Sequence, residues 1–135
     1  MAHATFPTRI LTPEGEVFNG EVEMVSTRTT VGLIGIMARH APLLASLEAT
    51  ELRLHKGDGE VARYAQSEGY LQVGDNRALL LVEEVHPVDK LDVEVLRERL
   101  RQAEEELAQA GEDSARRQGA LRDKRRWEVF LKIAG

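Results

Sequence analysis

The distribution of glycine and proline divides the sequence into two regions that meet at Pro87. Residues 1–86 contain eight of the eleven glycines and three of the four prolines, whereas residues 88–135 contain no proline and are rich in Glu, Arg, Leu and Ala. Glycine and proline punctuate short strands, and these four residue types are good helix formers. The sequence therefore predicts a mainly β plus α protein, with a β domain over residues 1–87 and a helical domain over residues 88–135.

The first region consists of short apolar or alternating runs separated by turn signals at residues 13–15, 56–59 and 74–76. Residues 52–65 predict a hairpin that turns at residues 57–59. Seven or more short strands at this spacing favour an N-terminal β-sandwich or flattened barrel. The predicted strands are residues 10–11, 17–18, 22–25, 52–54, 61–65, 70–73 and 78–82.

The second region predicts a C-terminal antiparallel α-helical hairpin. Asp92 is expected to cap the first helix, Gly111 to end it, and Asp113 or Ser114 to cap the second. The apolar residues of the first helix recur at helical spacing and form one seam. That seam is Leu96, Leu100, Ala103, Leu107 and Ala110, and the apolar positions of the second helix are Ala120, Leu121, Val129, Phe130, Leu131 and Ile133.

Charge divides the predicted hairpin. Residues 91–113 carry three basic and eight acidic groups, a net charge of −5, and residues 114–135 carry seven basic and two acidic groups, a net charge of +5. One interpretation is that the helices attract each other or present solvated faces. The other is that the basic helix can leave and dock on an acidic partner. Trp127, beside the basic cluster, is expected to pack in the hairpin rather than to stack on a nucleic-acid base.

Composition and spacing argue against chemistry by this chain. There is no cysteine, and the four histidines show no metal-ligand spacing, so we expect no metal site. The serines lie in no nucleophile-elbow context. The net charge of −5 argues against a nucleic-acid binder. No apolar run is long enough to span a membrane, and no secretory signal is visible at the N-terminus, so we expect no direct membrane insertion.

An ordered set of segments gives the sequence a family resemblance. Residues 12–14 precede 17–23, then 35–44, then 68–73 with Asn76 and 78–82, and Leu91-Asp92 opens the charged hairpin. In this order and at this length, the segments resemble the epsilon subunits of F-type ATP synthases over nearly the whole chain.

The resemblance implies a non-catalytic central-stalk (rotor) subunit of a proton-translocating enzyme. The sandwich would be clamped against the gamma subunit and rest on the c-ring, and the hairpin would regulate ATP hydrolysis by contacting the catalytic alpha and beta subunits. The protein would then be peripheral to the bacterial cell membrane, on its cytoplasmic side, through the complex.

Two sets of residues are predicted to make these contacts. The apolar stretch 31–37 is interpreted as a surface loop, because an exposed apolar patch usually marks an interface. The predicted rotor interface is Leu33, Ile36, Met37, Arg39 and His40. The predicted regulatory helix acts through Arg116, Arg117, Arg122, Arg125 and Arg126.

The sequence departs from the family pattern at three places. Ala38-Arg39 replaces the usual proline and small residue before the histidine, and Leu33 replaces an acidic residue. Val95 stands where the ATP-binding motif has arginine, and Arg97 lies roughly 200° away around the helix. We therefore expect no cofactor and no tight ATP binding by the hairpin.

Two other functions are left open. One is a free-standing β-sandwich adaptor whose basic helix binds an acidic protein or nucleic acid. The other is an enzyme with a site assembled from Arg39, His40 and scattered carboxylates.

Overall fold

The computed structural model describes residues 3–135 of the chain. They divide into two compact units, one ending at Pro87 and the other spanning Val88–Gly135. The first unit contains the strands β1 (Phe6–Thr12), β2 (Gly15–Val22), β3 (Met24–Thr29), β4 (Gly32–Met37), β5 (Leu43–Leu47), β6 (Thr50–Gly57), β7 (Glu60–Gln66), β8 (Gly69–Gly74), β9 (Arg77–Val82) and β10 (Val85–Pro87).

The strands form two layers that are joined through β3. One layer has the order β10-β7-β6-β3-β4 and the other the order β5-β8-β9-β1-β2. The start of β3 pairs with β6, and its last residue, Thr29, pairs with Leu47 of β5. The pairing of β1 with β9 is parallel, and the other described pairings are antiparallel. The result is the predicted sandwich, closed along one side by a strand that passes from layer to layer.

The core lies between the two layers. Successive side chains of a strand point to opposite faces, so every second residue reaches the interior. One buried polar pair interrupts this apolar core: the Thr27 hydroxyl donates to Gln66 Oε1 at 2.6 Å. In the sandwich, the largest fully buried apolar side chains are Phe6, Ile10, Ile36, Leu52, Leu54, Leu71 and Leu80.

One strand prediction and one loop prediction are wrong. Residues 22–25 do not form one strand, because Val22 ends β2, Met24 begins β3, and the Glu23 N–H between them donates to the His55 carbonyl at 2.6 Å. Residues 31–37 are not a loop, because residues 32–37 form β4.

The predicted turns are confirmed where the residue type fixes the backbone. The hairpin of residues 52–65 is β6 and β7, and it turns beyond Gly57, whose φ is 111°. Asp75 and Asn76 have φ of 49° and 58° between β8 and β9. Positive φ at both central residues is what a tight two-residue hairpin with right-handed strand twist requires.

The second unit contains a 3₁₀ turn (Val88–Lys90), then α1 (Val93–Gln109) and α2 (Ser114–Ala134). The predicted caps are confirmed: the Asp92 carboxylate accepts from the Glu94 and Val95 N–H groups, and Asp113 accepts from Arg116 N–H. Gly111 follows α1 with a φ of 57°, the left-handed conformation that commonly ends helices.

The apolar seam of α1 is also confirmed, with Leu96, Ala103 and Ala110 buried and the two intervening leucines half-buried. On α2 the buried apolar residues are Ala120, Trp127 and Phe130. Leu121, another apolar position of the second helix, is exposed. Within residues 3–135, no helix is long and apolar enough to cross a membrane.

Candidate functional site

Strand β4 carries the first three residues of the predicted rotor interface, on alternating faces. Leu33 and Met37 point outwards, and Leu33 is 73% exposed. Ile36 points inwards and is fully buried in the sandwich core. The inclusion of Ile36 among surface residues is therefore corrected, since period-two alternation assigns it to packing.

The remaining interface residues do not form one patch. Leu33 lies at the β3–β4 turn, and Met37 lies about 13 Å further along at the other end of the strand. Arg39 and His40 follow Met37. Arg39 has a φ of 65°, and its N–H donates to Asn76 Oδ1 at 2.7 Å, which ties this corner to the β8–β9 turn. The predicted set thus divides between the two ends of β4.

A larger apolar surface lies on the outer side of the layer β5-β8-β9-β1-β2. Leu44 is 74% exposed and Tyr70 58%, and Leu81 is also exposed. Tyr70 pairs across the sheet with Leu81, which pairs in turn with Leu11 of β1. We call Leu11, Leu44, Tyr70 and Leu81 the apolar face. A depression of about 390 Å³ adjoins it, lined in part by Pro13 and Glu83.

Sequence analysis missed the apolar face. Residues 70–73 alternate between outward and inward positions, which assigns Tyr70 to the surface. However, its neighbours come from three other strands, and only the pairing register brings them together. An exposed apolar patch of this kind is typical of a protein interface.

The outer side of the β6-containing layer is basic. Arg53 pairs across the sheet with Arg63, and Arg28 lies on the neighbouring β3. The Glu51 carboxylate accepts from Arg63 at 2.6 Å and also from Arg53. The hydrogen bond from Arg63 lowers the pKa of Glu51, and Arg53 adds to this against the opposing effect of partial burial. The two outer sides of the sandwich therefore differ sharply in chemistry.

The predicted regulatory arginines lie on α2. Arg116, Arg117, Arg122 and Arg125 are exposed, but Arg126 is only 8% exposed. Arg126 is therefore corrected from a docking residue to one packed into the protein. Arg116 contacts Glu106 of α1 at 2.7 Å, so one predicted pairing between the helices is present.

Many described ion pairs lie within a single helix rather than between the two. Arg101 reaches Glu98 and Glu105, and Arg97 reaches Glu94. The hydrogen bonds to Glu98 and Glu105 raise the pKa of Arg101, and the hydrogen bond from Arg101 lowers the pKa of Glu98. The acidic charge of α1 is thus partly neutralised by its own arginines.

Trp127 packs between the helices, as predicted, and is only 7% exposed. The Arg99 guanidinium lies 5.0 Å and the Arg126 guanidinium 5.3 Å from the centroid of its indole ring. The Phe130 ring meets the indole edge-on at 5.6 Å, with an interplanar angle of 84°.

The α1 surface around Val95 is unlike a phosphate site. A depression of about 420 Å³ there is lined by Glu94, Val95, Glu98, Arg99 and Gln102, so two carboxylates accompany one cation. Asp92, the second residue of the Leu91-Asp92 pair that opens the hairpin, is engaged as the helix cap. Among the residues that the structure describes, no cluster of His, Asp or Glu could hold a metal ion.

The sandwich and the hairpin together define a class of protein. Residues 5–88 match the family described as ATP synthase, Delta/Epsilon chain, beta-sandwich domain. The chain belongs to the ATP synthase epsilon chain family, whose members are non-catalytic subunits of the ATP synthase complex.

Curated relatives extend the similarity beyond the sandwich. The ATP synthase epsilon chain of Halalkalibacterium halodurans is 35% identical over 131 residues, covering 97% of this chain and 98% of the relative. That of Rubrobacter xylanophilus is 37% identical over 78% of this chain and 71% of the relative. The sodium ion specific epsilon chain of Propionigenium modestum is 36% identical over 82% of this chain and 80% of the relative.

Solved structures share the fold. A chain in the Euglena gracilis mitochondrial ATP synthase structure described as OSCP/F1/c-ring aligns with a TM-score of 0.79 at 20% identity, covering 98% of this chain and 82% of that chain. A chain of the Tetrahymena thermophila mitochondrial ATP synthase central stalk/c-ring aligns with a TM-score of 0.66 at 15% identity over all of both chains.

Proposed function

We propose that this chain is a central-stalk (rotor) subunit of a proton-translocating F-type ATP synthase, which couples the gamma subunit to the c-ring and regulates ATP hydrolysis through its C-terminal helices. The observation that carries the proposal is the match to an epsilon chain over 97% of this chain and 98% of the relative, which includes both units. The fold it shares with a chain of a central stalk/c-ring structure supports the same conclusion.

The sandwich supplies the rotor contacts in this proposal. Leu44 and Tyr70 of the apolar face are largely exposed. Of the sandwich surfaces, this face releases the most free energy when it is buried against gamma, because burying apolar area yields about 25 cal/mol per Å². Leu33 at one end of β4, and Arg39 with His40 beyond the other, provide contacts to gamma or the c-ring. The protein is then held at the cytoplasmic side of the bacterial membrane by its partners.

The proposal is tested by purifying the membrane ATPase through an affinity tag on this chain. We expect gamma and the c-ring to copurify at fixed stoichiometry. A Tyr70→Glu/Leu81→Glu variant should lose most of this association, because it places charges in the apolar face. An Arg53→Glu/Arg63→Glu variant on the opposite layer is the matched control and should retain it. Recovery of the chain without ATPase subunits would overturn the proposal.

Coupling is tested with charge reversal at Arg39. Arg39→Glu should loosen the coupling of ATP hydrolysis to proton pumping while the isolated protein stays folded, because the Arg39 side chain is exposed. Unchanged proton pumping with full ATPase activity would remove Arg39 from the interface.

Regulation in this proposal uses the basic face of α2 as a brake. Its exposed arginines dock on acidic surfaces of the catalytic alpha and beta subunits, and screening by salt weakens that docking. Removal of residues 114–135 should raise ATP hydrolysis by the assembled enzyme without preventing assembly. Arg117→Ala/Arg122→Ala/Arg125→Ala should reproduce most of the effect. Hydrolysis at the parent rate in the truncated enzyme, at every salt concentration, would leave the hairpin with a structural role alone.

A further inference from the structure

The corner that follows β4 has a backbone conformation that its own residue types do not favour. Among residues 3–135, four non-glycine residues have positive φ, and three of them are Asp58, Asp75 and Asn76. Aspartate and asparagine tolerate this left-handed conformation, because their short polar side chains can bond to nearby backbone. The fourth is Arg39, with a φ of 65° and a side chain that offers no such bond. The conformation of Arg39 therefore needs support from outside its own sequence.

The hydrogen bonding of the corner shows which local preference is missing. The His40 N–H donates to the Met37 carbonyl at 3.2 Å, which closes a turn over residues 37–40. A turn with positive φ at its third residue favours glycine at that position and proline at the one before it. This chain has Arg39 and Ala38 there instead. The residues of the turn thus do not account for its closure.

A side chain from a distant turn supplies the support. Asn76 Oδ1 accepts from the Arg39 N–H at 2.7 Å, although the two residues are 37 positions apart in the sequence. Asn76 is itself held in the tight turn between the paired strands β8 and β9, where its φ is 58°. The hydrogen bond restrains the peptide group between Ala38 and Arg39, and with it the direction in which the chain leaves β4.

We propose that Asn76 is a positioning residue of the rotor interface: its side-chain oxygen holds Arg39 in the left-handed conformation and thereby fixes the directions of the Arg39 and His40 side chains. The His40 ring is oriented within the same corner, since its Nδ1 lies 2.7 Å from the Ala41 carbonyl oxygen. A contact surface that is already ordered loses less conformational entropy on binding. The consequence for rotor coupling rests on the proposed function, whereas the role of Asn76 in the corner does not.

The first test measures amide hydrogen exchange at Arg39 and His40 by NMR in the full isolated chain. Asn76→Gly removes the acceptor but leaves Asp-Gly, a favoured pair for the β8–β9 turn. We expect the His40 N–H to exchange about two- to ten-fold faster, because a hydrogen bond that supports its turn is lost. The Arg39 amide proton resonance should move upfield. Asp75→Gly, in the same turn and also at positive φ, is the matched control and should exchange as the parent does.

A conservative variant separates this role from a requirement of the β8–β9 turn itself. Asn76→Asp keeps a side-chain oxygen acceptor and tolerates positive φ, so it should retain the protection of both amides. Parent protection in Asn76→Gly, or equal loss in Asn76→Gly and Asn76→Asp, would overturn the proposal. Equal loss in Asp75→Gly would do the same, because that result assigns the order of the corner to the shape of the turn.

A second background tests whether the hydrogen bond compensates for the arginine. Arg39→Gly supplies the residue type that the turn favours and keeps the N–H group that Asn76 accepts from. Adding Asn76→Gly to this background should change His40 exchange much less than it does in the parent. The same acceleration in both backgrounds would mean that Asn76 does not support the left-handed conformation, which contradicts the proposal.

The assembled enzyme tests the consequence for the interface. Asn76→Gly should lower proton pumping at a given rate of ATP hydrolysis, and Asn76→Asp and Asp75→Gly should retain it. Full coupling in Asn76→Gly, despite faster exchange at His40, would remove Asn76 from the interface and overturn its positioning role there. A failure of the proposed function appears instead as recovery of the parent chain without ATPase subunits, so the two failures are distinguishable.

Discussion

The sandwich and the helical hairpin achieve order in opposite ways. In the sandwich, fully buried side chains from six or more strands share the core, and strands distant in sequence are paired, such as β1 with β9. In the hairpin, each helix forms its own backbone hydrogen bonds, and only a few large side chains hold the two together. Local opening is therefore easier in the hairpin than in the sandwich. This difference is consistent with the proposed function, in which the sandwich is the fixed part and the hairpin changes partner.

The largest expected effect comes from removing the packing of the hairpin. Phe130→Ala deletes a fully buried ring that meets Trp127, and such deletions cost about 3–5 kcal/mol. We expect the helices to lose order while the sandwich remains folded. Far-UV circular dichroism and hydrogen exchange of the strands measure the two parts separately. Simultaneous loss of both would contradict the comparison and make the chain one cooperative unit.

The next effect is confined to the sandwich. A Cβ at Gly69 would lie 2.0 Å from the Leu81 carbonyl oxygen and 2.8 Å from Val82 Cα, both of the adjacent strand. Gly69→Ala should therefore destabilise the sandwich by about 2–3 kcal/mol in urea unfolding, because backbone must move to admit a methyl group. Gly74→Ala is the control, since a Cβ there meets nothing within 4 Å. Equal urea midpoints for the two variants would show that the β9 backbone can move to admit the methyl group at little cost in stability.

A smaller effect of opposite sign is expected at Thr8. Its hydroxyl is fully buried in the sandwich and has no hydrogen-bond partner, a state that costs about 1–3 kcal/mol. Thr8→Val keeps the shape of the side chain and should raise the free energy of unfolding by about 1 kcal/mol, which is measured as a higher urea midpoint. Thr27→Val should lower the midpoint instead, because it breaks the bond to Gln66. Destabilisation by both would mean that the Thr8 hydroxyl is satisfied in solution.

The smallest effect is a pH dependence at the basic side of the sandwich. The pKa of Glu51 lies below its ordinary value of 4.5, chiefly through the hydrogen bond from Arg63. A lowered folded-state pKa stabilises the protein above 4.5, and this contribution is lost as pH falls through the folded-state value. Glu51→Gln should flatten the acid side of the stability curve by less than about 1 kcal/mol. An unchanged curve would assign acid sensitivity to other carboxylates.

The sequence predicts elements well where one residue type determines the local backbone. Asp92 and Asp113 cap helices, Gly111 ends one, and Asp75 with Asn76 forms a tight turn, because each preference is local. Strand β4 escaped prediction because Leu33, Ile34, Ile36 and Met37 are apolar on both faces, which hides the period of two. The break at Glu23 depends on a hydrogen bond to His55, a partner more than thirty residues away.

The candidate surfaces show the same contrast between features that depend on local sequence and features that depend on distant residues. Trp127 was correctly expected to pack, because the apolar spacing of a helix is a local property. The apolar face could not be predicted, because Leu44, Tyr70 and Leu81 meet only through the register of three strands. The burial of Arg126 likewise depends on neighbours that local spacing does not reveal, whereas the burial of Ile36 follows from alternation once β4 is known to be a strand.

The position of the aromatic residues gives each unit its own optical signal. The chain contains a single tryptophan, Trp127, and two tyrosines, Tyr64 and Tyr70, both in the sandwich. Indole emission excited at the red edge of its absorption therefore reports on the hairpin alone, and tyrosine emission reports on the sandwich. In a stopped-flow experiment with the unmodified and unlabelled chain, a partner that separates α2 from α1 would shift the emission maximum of Trp127 to the red. The residue that packs the hairpin is also the natural fluorophore with which its opening can be timed.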